Sequence, residues 1–405
     1  MVTYPKDWTE ECLENITSSI ITGGTPSTTN QSFWGGTIPW LASAEIHQKR
    51  ITRPTTYITD VGLQNSSAKI APKNSVLIAL AGQGKTRGTA AFLQHDMAIN
   101  QSLAALVVNA KADPEFLFHS METSYTSLRE ISSGDGGRGG LNKKLLKKYT
   151  IVLPTNVLEQ EAIAETLSCM DEHIANLTEL IEKKKAIRDG ALEDLVNGRT
   201  RLKGFNDEWD IRCVGECAYI YSGGTPKTTN PYFWNGDVVW LTPGEITNNK
   251  GLYIHTSERK ITVDGVNNSS ATLLPKGTIL LCTRATIGYL AIAETELATN
   301  QGFKNLVCKP DIDNVFFAYA LMTKKSEMVT KAIGTTFLEI SKKALSGIEM
   351  RIPLLPEQQA ISSVLTAMDE EILALEEEKE KMLQIKAGAM DDLLTGRIRL
   401  TRQGG

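Results

Sequence analysis

Apolar residues recur along this chain with two different periods. Ile163, Leu167, Met170, Ile174, Leu177 and Ile181 are spaced alternately four and three residues apart. Ile361, Leu365, Met368, Ile372 and Leu375 repeat that spacing, and Met382 falls on it one heptad later. Charged residues fill the positions between them. This is the a/d seam of a coiled coil, and it predicts two helices of about 40 residues, roughly 60 Å each. Pro154 and Pro356 stand at or just before the helix starts, and Gly198 and Gly396 where helices would stop. Gly190 and Gly388 interrupt the two helices at matching places. A glycine there costs ~1 kcal/mol against alanine, and either close helix crossing or a kink would explain it. Elsewhere the period shortens. Residues 75–79 and 278–281 read as buried strands, and 113–119 and 315–322 as short helices. The segments 1–153 and 204–352 therefore read as mixed α/β.

The chain is one unit written twice. Gly23-Gly24-Thr25-Pro26 recurs as Gly223-Gly224-Thr225-Pro226, and Phe33-Trp34 through Trp40-Leu41 as Phe233-Trp234 through Trp240-Leu241. Glu45-Ile46 matches Glu245-Ile246, and Asn100-Gln101 matches Asn300-Gln301. Each half closes alike, with Leu153-Pro154 and Glu159-Gln160 against Ile352-Pro353 and Glu357-Gln358, and residues 193–202 against 391–400. A period near 200 residues is a duplicated domain with its trailing helix, not a solenoid. Exposed apolar seams on single helices are unfavourable, so the two helices are expected to pair as an antiparallel coiled coil. The halves would then be pseudo-two-fold related, with the C-terminal tail packed beside the start of the first domain. The fold class is α+β: two mixed α/β domains separated by two long helices.

Two similar modules at a fixed distance suit a two-part DNA target, whose half-sites are spaced by helical turns of ~34 Å. The net charge of -4 looks wrong for that purpose. Its distribution changes the picture. Residues 1–157 carry 15 basic and 12 acidic side chains, and residues 204–355 carry 15 of each. The helical segments 158–203 and 356–405 hold the acidic excess. Acid helices suit partner proteins, and neutral or mildly basic domains suit DNA read inside a larger complex.

Several classes drop out. No run approaches the ~18 apolar residues of a membrane span. The N-terminus is charged where a signal peptide is apolar. The six cysteines form no CxxC pair and the five histidines are scattered, so neither a metal site nor a disulfide framework is expected. Residues 79–86 approximate a phosphate-binding loop around Lys85 and Thr86, but a strand-like run follows where a helix is needed. No methyltransferase motif, nuclease cluster or catalytic triad is present, so no catalytic residue is assigned.

The candidate DNA contacts are basic and hydroxyl side chains on polar loops. Arg138, Lys143, Lys144, Lys147 and Lys148 follow the glycine-rich stretch 132–137, with no acid from Gly136 to Leu158, and Thr335, Lys342 and Lys343 are their counterparts. Lys85, Arg87 and Arg284 lie on a second loop. Thr25, Ser27 and Thr28, with Thr225, Lys227 and Thr228, form a third. Trp34, Trp40, Trp234 and Trp240 are expected in the core. Specificity should lie where the copies diverge, in residues 45–58, 82–95 and 117–144.

The doubled order of these motifs resembles the specificity subunit of type I restriction-modification systems, over essentially the whole chain. The resemblance implies target recognition domains at 1–155 and 204–352 and spacer helices at 156–203 and 353–405. It implies a bipartite, asymmetric double-stranded DNA target, one half-site per domain, with the helices setting the gap. It implies two modification subunits as partners, then restriction subunits, in a prokaryotic cytoplasm and away from membranes. S-adenosylmethionine, ATP and Mg would sit on those partners, with no cofactor, metal or catalytic site in this chain. Two other readings remain at this point: a stand-alone tandem DNA-binding regulator, and a nucleotide hydrolase using Lys85 and Thr86.

Overall fold

The computed structural model describes residues 4–82, 84–132, 140–334 and 338–400. They fall into two compact units, one of residues 1–176 and 379–405, the other of residues 177–378.

Unit 1 opens with β1 (Trp8–Cys12), α1 (Leu13–Ile16), β2 (Thr17–Thr22), β3 (Trp34–Leu41), β4 (Arg50–Ile51), β5 (Thr56–Ile58), α2 (Asp60–Gln64) and β6 (Lys69–Ala71). The hairpin β7 (Val76–Ala79) and β8 (Ala90–Leu93) follows, then β9 (Met97–Ile99) and β10 (Leu103–Val108). After the helices α3 (Pro114–Thr123), α4 (Tyr125–Ile131) and α5 (Lys143–Lys148), β11 (Thr150–Pro154) leads into the long α6 (Val157–Val196). A five-stranded sheet runs β2-β10-β7-β8-β4, a four-stranded sheet runs β5-β3-β9-β6, and β1 pairs with β11.

The alternation along β7 explains this stacking. Val76 and Ile78 face a core built with Trp8, Phe116, Phe118 and Leu128. Leu77 and Ala79 face the opposite way, into a core with Leu41, Ile46, Met97 and Ile99. The central strands are thus covered on both sides, which is why they read as unbroken apolar runs. The helix α3 starts where Asp113 accepts the Phe116 N–H and Pro114 fills the first turn.

Unit 2 repeats the plan. Its strands are β12 (Asp210–Cys213), β13 (Ala218–Ser222), β14 (Trp234–Leu241), β15 (Tyr253–Ile254), β16 (Lys260–Ile261), β17 (Ile279–Cys282), β18 (Leu290–Ala293), β19 (Leu297–Thr299), β20 (Phe303–Cys308) and β21 (Glu349–Ile352). Its helices are α7 (Val214–Cys217), α8 (Pro243–Asn248), α9 (Val263–Asn267), α10 (Asn314–Thr323), α11 (Lys325–Thr330), α12 (Lys342–Ser346) and the long α13 (Leu355–Leu393). The order β13-β20-β17-β18-β15 matches the larger sheet of unit 1. The smaller sheet has three strands, β16-β14-β19, because only a bridge from Leu274 to Leu297 stands where β6 paired in unit 1.

Within each unit, part of α6 lies antiparallel to part of α13. In unit 2, Lys185 pairs with Glu376 at 2.8 Å, and Arg188 with Asp369 at 2.7 Å. In unit 1, Lys386 pairs with Asp171 at 2.5 Å, and Arg399 beyond the helix pairs with Glu159. The apolar seam is divided. Ile163 and Leu167 sink into the unit 1 core beside Leu393, and Met170 packs against it. Ile361 and Leu365 enter the unit 2 core, with Met368 against it. Leu177, Ile181 and Ile372 are buried, whereas Ile174, Leu375 and Met382 are half-buried. The first turns of both helices are therefore domain elements as much as coil. A Cβ added at Gly190 or Gly388 would meet nothing within 4 Å, so close crossing is not the reason for either glycine.

Candidate nucleic-acid interface

Strand register gathers the candidate loops at one sheet edge in each unit. In unit 1, Leu103 opposes Ala79 and Ala104 opposes Thr22. The loop leaving β2, the turn entering β10 and the β7–β8 hairpin therefore share an edge. In unit 2, Phe303 opposes Cys282 and Lys304 opposes Ser222, which brings the same three loops together.

The Gly-Gly-Thr-Pro loop is the scaffold of this edge. A Cβ at Gly23 would lie 1.7 Å from the Ile99 carbonyl oxygen, so only glycine fits there; at Gly223 the distance is 1.9 Å to Asn300 O. The Trp40 indole N–H donates to the Gly24 carbonyl (3.0 Å), and Trp240 to Gly224 (2.9 Å). The Thr25 hydroxyl donates to Gln101 and Thr225 to Gln301, each at 2.6 Å. Both threonines are thus committed to holding the Asn-Gln turn, which explains why that dipeptide accompanies the loop. Ser27, Thr28, Lys227 and Thr228 remain exposed. Each tryptophan pair is edge-to-face, at 5.3 and 5.1 Å, with Trp34 only half-buried.

The hairpin stands next to this turn. Leu80 N–H donates to the Ser102 carbonyl (2.8 Å), and Thr283 N–H to Gly302 (2.8 Å). A second backbone bond joins the basic segment to the hairpin: Leu141 N–H to Leu80 O at 3.0 Å, and Ile340 N–H to Thr283 O at 3.1 Å. Lys143 and Lys144 begin α5 two residues later, as Lys342 and Lys343 begin α12. Segments some 60 positions apart in sequence thereby meet at one edge. Lys85, Lys143, Lys144, Lys148, Lys342 and Lys343 are exposed, and Arg87 and Arg284 are half-buried. Lys147 instead forms an ion pair with Glu14. In unit 2 the strand pairing of Arg284 with Glu339, and the 3.4 Å pair of Lys304 with Glu339, place an acid beside the candidates. Arg138 and Thr335 lie outside the described residues.

The segment around Lys85 and Thr86 runs into β8 rather than a helix, so the strand-loop-helix order of a phosphate-binding loop is missing. Three side chains that sequence reasoning did not single out hold this hairpin: His47, Tyr125 and Arg129. All three fall inside the windows where the copies diverge, which is the signal that could have found them.

A second polar cluster lies under the domain in unit 1. His119, Glu122 and Asp171 offer ligand atoms within 4.8 Å of one another. The buried Lys386 ammonium reaches between them, 2.5 Å from Asp171 and 3.4 Å from Glu122, and Lys49 adds a 2.8 Å pair to Glu122. Burial pushes the Glu122 carboxyl up. The His119 hydrogen bond and the two ammonium groups outweigh that and hold it at about 2. In unit 2, Tyr319 takes the place of His119, donating to Asp369 at 2.6 Å, and Arg188 takes the place of Lys386. These clusters tie domain to helix.

A family described as the type I restriction modification DNA specificity domain matches residues 5–186 and 206–384. The chain belongs to this type I specificity family. Its two matched copies fall on the two repeats. The MjaIX specificity subunit of Methanocaldococcus jannaschii is 38% identical over 180 residues, 44% of this chain and 41% of that protein. The chain thus spans under half the length of that relative in the matched region. The MjaVIII specificity subunit of the same organism is 26% identical over 370 residues, 85% of each chain. Among solved structures, the type I S subunit from M. genitalium superposes over 95% of this chain and 96% of its own, with a TM-score of 0.63 and 17% identity. A chain from a structure of a type I system, described for complex assembly and conformational transition, gives 0.59 over 98% of this chain at 17% identity. Those two likenesses carry the fold. As a type I specificity chain, the protein is a DNA-recognition component. No helix among its described residues is long and apolar enough to cross a membrane.

Proposed function

We propose that this chain reads a bipartite, asymmetric DNA sequence within a type I restriction-modification complex of a prokaryotic cytoplasm. The convergence of exposed basic and hydroxyl loops on one sheet edge, built twice, is the observation that supports it. Each edge takes one half-site. Lys143, Lys144, Lys148, Lys342 and Lys343 contact phosphates, and the hairpins carrying Lys85, Arg87 and Arg284 approach the bases. Residues 1–155 and 204–352 act as the recognition domains, and the helical segments 156–203 and 353–405 set the gap. Two modification subunits dock on the helices, and restriction subunits join them. S-adenosylmethionine, ATP and Mg belong to those partners, so methyl transfer and cleavage occur outside this chain.

Co-expression with a neighbouring adenine methyltransferase, followed by methylome sequencing of the host, tests the reading. A co-purifying complex and a methylated motif with two half-sites and a fixed gap are expected. Tight sequence-specific binding by the isolated chain, with no co-purifying partner, would instead identify a stand-alone DNA binder.

A further inference from the structure

The two hairpins are equivalent in position but not in construction. In both units the strands close through paired backbone bonds: Gly88 to Ala79 and Ala79 to Thr89, against Gly288 to Cys282 and Cys282 to Tyr289. Between these closures lie residues 80–87 in unit 1 but only 283–287 in unit 2. The short tip closes on itself, with Thr286 N–H donating to Arg284 O at 2.7 Å. The long tip carries glycines at left-handed φ, 124° at Gly82 and 73° at Gly84; Thr89 closes it from within, donating to Thr86 O at 3.0 Å and to Lys85 O at 2.9 Å, and outside support adds to that.

That support comes from one turn of α4 and from His47. The Arg129 guanidinium donates to the Gly84 carbonyl at 2.7 Å and to the Arg87 carbonyl at 3.3 Å. The Tyr125 hydroxyl donates to the Lys85 carbonyl at 3.1 Å. Arg129 also lies over the Tyr125 ring, 5.5 Å from its centroid, so the two props are braced against each other at i and i+4. Separately, the His47 ring nitrogen meets the Thr86 hydroxyl at 3.2 Å. Three carbonyls within four residues are thereby taken, and the exposed Lys85 side chain projects from a braced backbone. Unit 2 has Lys325, Val329 and Thr247 at the equivalent places. There the partnership is inverted: the hairpin supplies the aromatic ring, Tyr289, and α11 supplies Lys325, whose ammonium lies 4.0 Å from the ring centroid.

We infer that Arg129, braced by Tyr125, is a positioning residue that fixes the stringency with which unit 1 reads its half-site. This rests on the proposed reading, since it assumes that the hairpin approaches the bases. A tip of this length, left unbraced, would spread Lys85 over many poses and lose the geometry that separates a correct base pair from a wrong one. The device acts on one half-site alone, because unit 2 uses a shorter tip with different props.

The experiment uses the full chain in complex with its methyltransferase partners, methylating a DNA library randomised in both half-sites. Arg129→Leu removes two carbonyl bonds, and Tyr125→Phe removes the Lys85 bond and the 3.4 Å bond that Arg129 donates to the Tyr125 hydroxyl, while keeping the ring. A single mismatch in such interfaces weakens recognition about fivefold to 150-fold. Arg129→Leu is therefore expected to erase about tenfold discrimination at one half-site, with Tyr125→Phe about twofold to threefold in the same direction. The second half-site and the gap stay unchanged. Unaltered stringency in folded Arg129→Leu overturns the inference, as does unaltered stringency in Tyr125→Phe should Arg129→Leu fail to fold, and so does equal loosening at both half-sites. A wild-type complex that methylates no two-part motif defeats the underlying reading instead, and does so before any variant is made.

Discussion

Arg399 clasps the buried carboxylate of Glu159, 240 positions earlier, through Nε at 2.5 Å and Nη2 at 2.8 Å, and reaches on to Asp7 at 2.6 Å. Arg201 grips Glu357 in the same way, at 2.7 Å through each nitrogen. The tail of each repeat thus closes on the helix start of the other. A 40-residue helix spans roughly 60 Å and cannot fold back on its own beginning, so exchange is the route by which each buried glutamate finds its arginine. Arg399→Met should cost about 3 kcal/mol, because it leaves an uncompensated carboxylate in the unit 1 core. Urea unfolding of the full chain measures this. In combination with Glu159→Gln the loss should shrink by more than half, whereas strict additivity would show that the pair is not coupled.

Glu122 makes the stability of unit 1 acid-sensitive. Its carboxyl is held at about 2, below an ordinary value of about 4.3, so the folded state favours the ionised form. A depressed carboxylate contributes fully above its unfolded value, and its contribution fades as pH falls from about 4.5 toward 2. The contribution above that window is about 3 kcal/mol at most. Wild type should therefore exceed Glu122→Gln in stability at pH 7, with the gap narrowing on acidification through that window. A gap that stays constant from pH 7 to pH 3 would show that Glu122 packs rather than pairs.

The repeat, the long helices, the central strands and the aromatic cores are legible in the sequence, because periodicity and identity between copies report burial directly. The use of individual polar side chains is not. Thr25 reads as a free hydroxyl on a polar loop, yet it is spent on Gln101, a partner 76 positions away. Lys147 belongs to a basic run but faces Glu14 where α5 packs on α1. The Glu-Gln pair in the first turn of each long helix appears in the sequence only as a repeated polar motif, whereas Gln160 is fully buried and bonded to the Pro154 and Lys111 carbonyls and the Asp113 N–H. In each case pattern shows that a polar group is present, and only the fold shows which partner meets it.

Gly190 and Gly388 lie within helices, and beyond the helix's own backbone no atom lies within 4 Å of where their Cβ would sit. Alanine at either position should stabilise the chain by about 1 kcal/mol, through helix propensity and a less flexible unfolded state. Thermal unfolding of the single variants checks this. If stability rises while co-purification with the methyltransferase falls, the glycines are kept for close approach of that partner. No change in stability would mean that these helix segments are already frayed.

The lysines at the candidate DNA edge of unit 1 should not be equivalent. Lys143 and Lys144 are exposed and without an ion pair among the described residues, whereas Lys147 is held by Glu14. Reversing Lys143 and Lys144 to glutamate should weaken DNA binding by the assembled complex for all sequences alike. The slope of log K against log salt should fall by about 0.9 for each phosphate that is no longer neutralised. Lys147→Glu should act differently. It places like charges together at Glu14 and so lowers thermal stability, with the salt slope almost unchanged. Titrations at four or more salt concentrations separate the outcomes. Equal slopes for wild type and the double reversal would remove this segment from the interface and leave the hairpin edge to carry it.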